Sequence, residues 1–357
     1  MEDLTYLQEA LKKAKQYDEI LKYSDIVIWG TGNTTLLYEE CIREEKLEPC
    51  YYCDSDKSKQ GALFAGKLVI APDSIRARCE NPFVLISSAV PGTCREIAKQ
   101  CHTMGLTCCT IDMVVFSRHA KELMNNCKLL DDDYSKYVYS RILVKRMQGM
   151  EITEDIYTAN QYFCLPPFMR RRGSEIFVDC GAFVGDSVEQ YIVQKACTFG
   201  KIYGFEPEEK NYKAFLARSS RLNLEWGLGE EKIVPIHAGV GIHTAEMYMG
   251  SVKDGSNVGA RVAMDGDNAV KVYALDDFFY EQQVHFLKAD IEGFEAQMLI
   301  GAEKMIKKNH PLLAVCIYHN AADMYNIMRI IHEMDMTYKF AIRHHSYEYC
   351  ETVLYAW

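Results

Sequence analysis

Short apolar runs ending in glycine or a carboxylate, each followed by an amphipathic stretch, recur along two long tracts of this chain. That alternation leaves few folds open. Residues 25–30 (DIVIWG) read as a buried strand, and 33–45 carry Leu36, Leu37, Cys41 and Ile42 at helical spacing. Further strands are expected at 50–54, 67–70, 83–87 and 107–111. Pro91 and Gly92 open a helix with Ile97, Ala98, Cys101 and Met104 on one face. From Glu175 the pattern resumes, with strands at 176–180, 201–206, 233–238, 284–290 and 312–318. Helices are expected between them at 184–196, 208–220, 294–308 and 321–334. Such alternation predicts parallel sheets with right-handed crossovers. The last two apolar runs, 338–342 and 352–356, flank a polar turn and predict an antiparallel hairpin.

Between 117 and 172 the alternation stops. Asp131-Asp132-Asp133 is placed to cap a helix over 134–147, and Pro166-Pro167 is expected to stop whatever helix precedes it. At roughly 100–200 residues per domain, 357 residues suit two domains. The expected division is a Rossmann-like domain at 1–116, a helical connector or lid at 117–172, and a second α/β domain at 173–357.

Charge and cysteine usage exclude several classes. With 40 basic against 50 acidic residues the net charge is −10, a poor match to a phosphate backbone. Arg170-Arg171-Arg172 is the one basic run, read as a solvated turn before a strand, so no nucleic-acid partner is expected. No apolar run reaches the ~18–20 residues of a membrane span. The acidic start Met1-Glu2-Asp3-Leu4 lacks the pattern of a signal peptide. Fourteen cysteines, mostly inside apolar patterns, suit free thiols in a reducing compartment, so a cytoplasmic location is expected. Cys50-Tyr-Tyr-Cys53 is a lone CxxC without a second pair, and no zinc site is expected from it.

The chemistry concentrates after Glu175. Asp179-Cys180-Gly181-Ala182-Phe183-Val184-Gly185-Asp186 puts two glycines between a strand and a helix, where backbone N–H groups can meet a ligand. Glu206 follows 27 residues after Asp179, at the end of the next strand, where a carboxylate can accept both hydroxyls of a ribose. The spacing D-x-G-x-x-x-G departs from the dinucleotide fingerprint, and Asp179 would repel a diphosphate. A ligand bearing an ammonium and a sulfonium, such as S-adenosylmethionine, is therefore expected.

Five segments in order, VDCGAFVGDS, IYGFEPEEKNYKAF, LKADIEGFEAQMLIGAEKMI, LLAVCIYH and RHHSYEYCETVLYA, resemble the successive motifs of the FkbM-type family of S-adenosylmethionine-dependent methyltransferases. The resemblance covers about residues 160–357. It implies a class I methyltransferase fold, a seven-stranded, mostly parallel sheet with an antiparallel C-terminal strand, joined here to the smaller N-terminal Rossmann-like domain. By similarity Asp179, Gly181, Phe183, Gly185 and Ser187 hold the methionine end of the cofactor. Glu206 and Pro207 hold the ribose, Gly239 and Val240 flank the adenine, and Asp290 lies beside the transferred methyl. Gln161-Tyr162-Phe163 resembles a stretch ahead of the glycine loop in similar proteins, and Tyr162 or Phe163 is expected to cover the cofactor.

An alcohol acceptor must lose its proton, which points to a placed base. Alternation puts Lys288, Asp290 and Glu292 on one side if their strand extends that far. Asp290 is the first candidate, Glu292 is expected at the acceptor, and Glu295 at the start of a helix. His319, after the next strand, is a second candidate base, and at most one of His344 and His345 can face the site. No tight ligand spacing supports a metal, so none is expected.

In the N-terminal half, Gly30-Thr31-Gly32 opens the first helix and Asp54 ends the second strand, as in nucleotide-binding-like Rossmann domains, but Thr35 replaces the third glycine. The leading expectation is O-methylation of a hydroxyl on a sugar, glycan precursor or secondary metabolite. The alternatives are an NAD-dependent oxidoreductase using the N-terminal half, or a non-catalytic nucleotide or S-adenosylmethionine binder. A small-molecule or carbohydrate acceptor is the expected partner, with a homodimer left open.

Overall fold

In a computed structural model, residues 2–22, 24–249, 262–263 and 268–357 are described. The chain divides into two compact units that do not follow chain order. One takes Met1–Tyr157, Tyr318–Tyr325 and Ser346–Thr352; the other takes Thr158–Ile317, Asn326–His345 and Val353–Trp357.

The first unit is built on β1 (Asp25–Trp29), β2 (Tyr51–Cys53), β3 (Leu63–Phe64), β4 (Lys67–Ile70), β5 (Pro82–Ile86) and β6 (Thr107–Thr110). Their order is β3-β4-β2-β1-β5-β6, parallel except where β3 turns back on β4. Val27, Ile28 and Trp29 are all buried, as a central parallel strand covered on both faces requires. Helix Pro91–Thr103 starts on proline and buries Cys94, Ile97 and Cys101. The helix expected at 33–45 is broken at Tyr38 into Asn33–Leu37 and Glu39–Glu44. Helix Asp133–Gln148 is capped by Asp132, which accepts the Ser135 N–H, and ends on Gly149 at φ +62°. All fourteen cysteines are free thiols; Cys53 is buried in β2 and Cys50 is exposed.

The second unit contributes β7 (Ile176–Cys180), β8 (Lys201–Phe205), β9 (Ile233–Ile236), β10 (Gly239–Val240), β11 (Ala245–Met249), β12 (Val262–Ala263) and β13 (Asn268–Tyr273). It continues with β14 (Phe286–Ala289), β15 (Leu312–Cys316), β16 (Phe340–His344) and β17 (Thr352–Ala356). The main sheet has seven strands in the order β16-β17-β15-β14-β7-β8-β9. β9, β8, β7, β14 and β15 pair in parallel, and β17 runs antiparallel to β15. Lys339 and Trp357 exchange backbone hydrogen bonds at 2.9 and 3.1 Å, the signature of an antiparallel β16–β17 hairpin. A second small sheet, β10-β13-β11-β12, emerges from a stretch whose periodicity predicted no strand.

Two further local expectations need correction. Pro166 does not stop a helix but begins one, Pro166–Met169, because a first-turn proline lacks only an N–H that would be unpaired anyway. The single helix expected over 294–308 is two, Glu295–Ile300 and Glu303–Asn309, separated at Gly301. A side chain at Gly301 would lie 2.0 Å from the Gly241 carbonyl oxygen, so the break lets a backbone pass.

The strand order reverses direction between β7 and β14, and crevices for ligands open at the carboxyl ends of strands at such a point. Beneath it sits an aromatic core. Phe177 and Tyr191 stack at 4.3 Å, and Phe286 lies 4.8 Å from Phe177. Phe163 is fully buried against the same cluster, 5.9 Å from Phe286. It is core, not cover.

Candidate active site

The loop after β7 turns because Gly181 and Gly185 adopt φ +78° and +81°. A Cβ on Gly181 would stand 1.8 Å from the Asp290 carbonyl oxygen, so the glycine lets the β7 and β14 loops touch. Phe183 takes φ +48° without being glycine, and its N–H donates to Glu206 Oε2 at 2.9 Å. The Glu208 N–H donates to the other oxygen at 3.0 Å. Glu206 is thereby fixed at the end of β8, where burial pushes its pKa up to about 7 against the pull of those hydrogen bonds.

Register places Lys288 of β14 directly beside Asp179 of β7. Lys288 Nζ lies 2.9 Å from Asp179 Oδ1 and donates to the Gly181 carbonyl at 2.7 Å. The Ser187 hydroxyl donates to Asp179 Oδ2. Burial opposes the charge on Lys288, but Asp179 and Asp290 more than offset it and raise its pKa. Asp179 is fully buried and braces the glycine loop from behind. Its charge is met by Lys288 rather than offered to a ligand, which corrects the sequence argument. The sequence reading set Lys288 on one side with Asp290 without assigning it a partner; a lysine inside a buried strand was the signal that it has one.

Asp290 follows β14, half-buried, and accepts from Tyr162 Oη through Oδ2 at 2.8 Å. β14 ends at Ala289, so strand alternation does not reach Glu292, which sits in a left-handed turn at φ +55° before Gly293 at +93°. Glu295 starts the next helix and accepts the Ile291 N–H at 2.9 Å. One carboxylate oxygen of Asp290 and one of Glu295 lie within 4.8 Å of each other.

A cleft is lined by Gly181, Phe205, Glu206, Pro207, Ala238, Gly239, Val240, Asp290, Ile291, Glu292 and Phe294. It gathers the expected ribose, adenine and methyl contacts, while Asp179, Phe183, Gly185 and Ser187 lie outside its lining. His319 is buried, its ring 4.1 Å from that of Tyr318, and belongs to the first unit, whereas Asp290 and Glu292 belong to the second. His345 hydrogen-bonds the Thr158 carbonyl at 2.5 Å and Tyr355 Oη at 2.9 Å, and burial pushes its pKa down to about 4. A histidine so placed is neutral at pH 7.

In the first unit, the Thr31 N–H and hydroxyl donate to Asp54 Oδ2 at 3.2 and 2.5 Å. Thr35 is fully buried and bridges the Gly30 carbonyl at 2.8 Å and Ser87 Oγ at 2.9 Å. The residue replacing the third glycine thus joins the two loops where a fingerprint glycine would only pack.

A parallel-rich sheet with a glycine loop and carboxylates at neighbouring strand ends is the arrangement of a methyltransferase-like α/β fold. Residues 179–349 match the family described as the methyltransferase FkbM domain. Residues 179–349 therefore carry an FkbM methyltransferase domain. The methyltransferase FkbM of Methylobacillus flagellatus superposes with a TM-score of 0.56 at 20% identity, covering 99% of this chain and 93% of that one. Fibrillarin of Aeropyrum pernix, solved with natively bound S-adenosyl-L-methionine, matches 52% of this chain and 67% of its own at 12% identity and TM-score 0.33. A SAM-dependent methyltransferase of Aquifex aeolicus matches 53% and 85% at 11% identity and TM-score 0.29. No curated protein matches the chain. Among the described residues, no helix is long and apolar enough to cross a membrane.

Proposed function

We propose that the protein is an S-adenosylmethionine-dependent O-methyltransferase acting on a hydroxyl of a sugar, glycan precursor or secondary metabolite. The observation that carries this reading is one cleft shared by Glu206, Gly239, Val240 and Asp290 at the carboxyl edge of β8 and β14. The donor set fits the cofactor: a buried strand-end carboxylate suits ribose hydroxyls, and close-packed backbone at Gly181 suits the turn toward the methionine end. When bound, S-adenosylmethionine supplies an electrophilic methyl on a sulfonium.

On this reading Glu206 accepts from the ribose and Asp290 stands at the acceptor. The cofactor would supply the methyl group to the acceptor oxygen and leave as the neutral thioether, keeping the electron pair of the carbon–sulfur bond. The Asp290 carboxylate would take the hydroxyl proton. Holding the two reactants in line supplies most of the acceleration, and a positioned base adds typically 10²–10⁴-fold. Glu292 contacts the acceptor.

Calorimetry with S-adenosylmethionine, S-adenosylhomocysteine and NAD tests the cofactor, with heat expected from the first two only. A screen over sugars, nucleotide sugars and glycolipid head groups then finds the acceptor. Asp290→Asn should bind cofactor normally and lose about 10²–10⁴-fold in turnover. A chelator should leave the rate unchanged. Loss on chelation with rescue by magnesium would instead make Asp290 and Glu295 oxygen ligands of a divalent ion.

A further inference from the structure

The segment from Thr158 to Phe163 is held by more hydrogen bonds than its role as a connection needs. Asn160 and Tyr162 take φ +59° and +66°, a region that non-glycine residues rarely adopt. Strain of this kind persists only where the surroundings over-determine it. At Tyr162 they do. Its N–H donates to Tyr355 Oη at 2.9 Å. His345, neutral by burial, gives Nδ1–H to the Thr158 carbonyl, which leaves Nε2 as an acceptor. The Tyr355 hydroxyl therefore donates to His345 Nε2 and uses a lone pair for the Tyr162 N–H. The His344 carbonyl adds a bond from the Thr158 N–H at 2.8 Å.

What this circuit holds in place is a phenol. Tyr162 is 6% exposed, and its hydroxyl donates to Asp290 Oδ2 at 2.8 Å. Gln161 Nε2 donates back to that hydroxyl at 3.0 Å, and Cys316 Sγ lies 3.8 Å from it, so the phenol oxygen is held from three sides. Lys288 Nζ sits 5.2 Å from the ring centroid, which fixes the ring plane from the other side. A hydrogen bond to one oxygen restrains rotation of the Asp290 carboxylate about its Cβ–Cγ bond.

We propose that Tyr162 is a positioning residue for methyl transfer: it anchors Oδ2 of Asp290 and so aims the carboxylate at the reacting centre, while Tyr355 and His345 lock Tyr162 in that pose. This rests on the reading of Asp290 as the residue beside the transferred methyl.

The test uses the full chain and S-adenosylmethionine labelled with ¹³C in its methyl group. Calorimetry first establishes the affinity of the parent, Asp290→Asn, Tyr162→Phe and Tyr355→Phe proteins. The methyl-carbon resonance of the bound cofactor is then compared at saturation. Asp290→Asn should move that resonance, and Tyr162→Phe should move it in the same direction with affinity kept within about twofold. Tyr355→Phe, which removes only the support, should move it less. With the acceptor returned by the screen, Tyr162→Phe should lower kcat at least tenfold and leave KM for the cofactor unchanged. A resonance that responds to Asp290→Asn and stays put in Tyr162→Phe would overturn the proposal. So would no response in any variant, or a cofactor affinity that collapses in Tyr162→Phe. Absence of any binding to the parent protein is a different failure, seen in the calorimeter alone, and removes the cofactor reading on which the proposal stands.

Discussion

Glu206 ties the chemistry of one side chain to an observable of the whole site. Burial raises its pKa from 4.5 to about 7, so the cofactor-free fold holds this proton more tightly than the unfolded chain does. Its contribution to stability is therefore full below pH 4.5 and is lost as pH rises through 7. A ribose that donates two hydroxyls to the carboxylate reverses the preference, because it favours the charged form. Binding should then release a proton near pH 6, and affinity for S-adenosylhomocysteine should weaken about tenfold for each pH unit below 7. Calorimetry in buffers of different ionisation enthalpy measures that proton. Glu206→Gln should bind more weakly at pH 8 and show a flat profile; a sloping profile in that variant would place the titrating group elsewhere. The placement of Gly181, Glu206 and Asp290 around one cleft was legible in the sequence because a glycine turn and strand-end acids fall at the carboxyl edge of the sheet. The role of Asp179 was not, since nothing in VDCGAF says that Lys288, more than a hundred residues later, will neutralise it in register. Tyr162 as a partner of Asp290 was equally hidden, because left-handed turns at non-glycine residues carry no compositional mark.

Among elements, the β7 loop and the β14 loop behave as one piece. The Gly181 position admits no side chain on two grounds, the 1.8 Å approach to the Asp290 carbonyl oxygen and φ +78°. Gly181→Ala should accordingly cost roughly 2–5 kcal/mol, the sum of a strained backbone and a forced displacement. Urea unfolding would measure it, and cofactor binding should weaken together with stability. A variant as stable as the parent would mean that the loops separate without penalty. The parallel strands of the two larger sheets were readable because buried parallel strands demand continuous apolar runs, and 25–30, 176–180 and 312–318 supply them. The helix break at Gly301 was not, since it answers to a neighbour. At Gly301 that neighbour is the backbone of Gly241. The small sheet of β10–β13 escaped for a related reason: two of its four strands are two residues long.

At the scale of the molecule, the first unit depends on residues far along the chain. Asn126 Nδ2 donates to the Tyr325 carbonyl at 3.0 Å, and the Tyr349 hydroxyl donates to the Lys145 and Met150 carbonyls at 2.8 and 2.7 Å. Arg146 reaches the Tyr318 carbonyl at 3.3 Å from a buried network with Asp112 and Tyr38. A fragment of residues 1–157 lacks the Tyr318 and Tyr325 carbonyls and the Tyr349 hydroxyl. It should express as a poorly soluble species or melt well below the full chain, and limited proteolysis should cut it first near helix Asp133–Gln148. A fragment that melts with the cooperativity of the parent would show that the returning segments are dispensable.

The interleaving also sets an order on synthesis. Domains ordinarily fold as they leave the ribosome, the N-terminal one first. Here the unit that begins at residue 1 is not whole until residue 352 has been made, 195 residues after 157. At about 5–20 residues per second that is a wait of roughly 10–40 s. The half of the protein translated first is completed almost last.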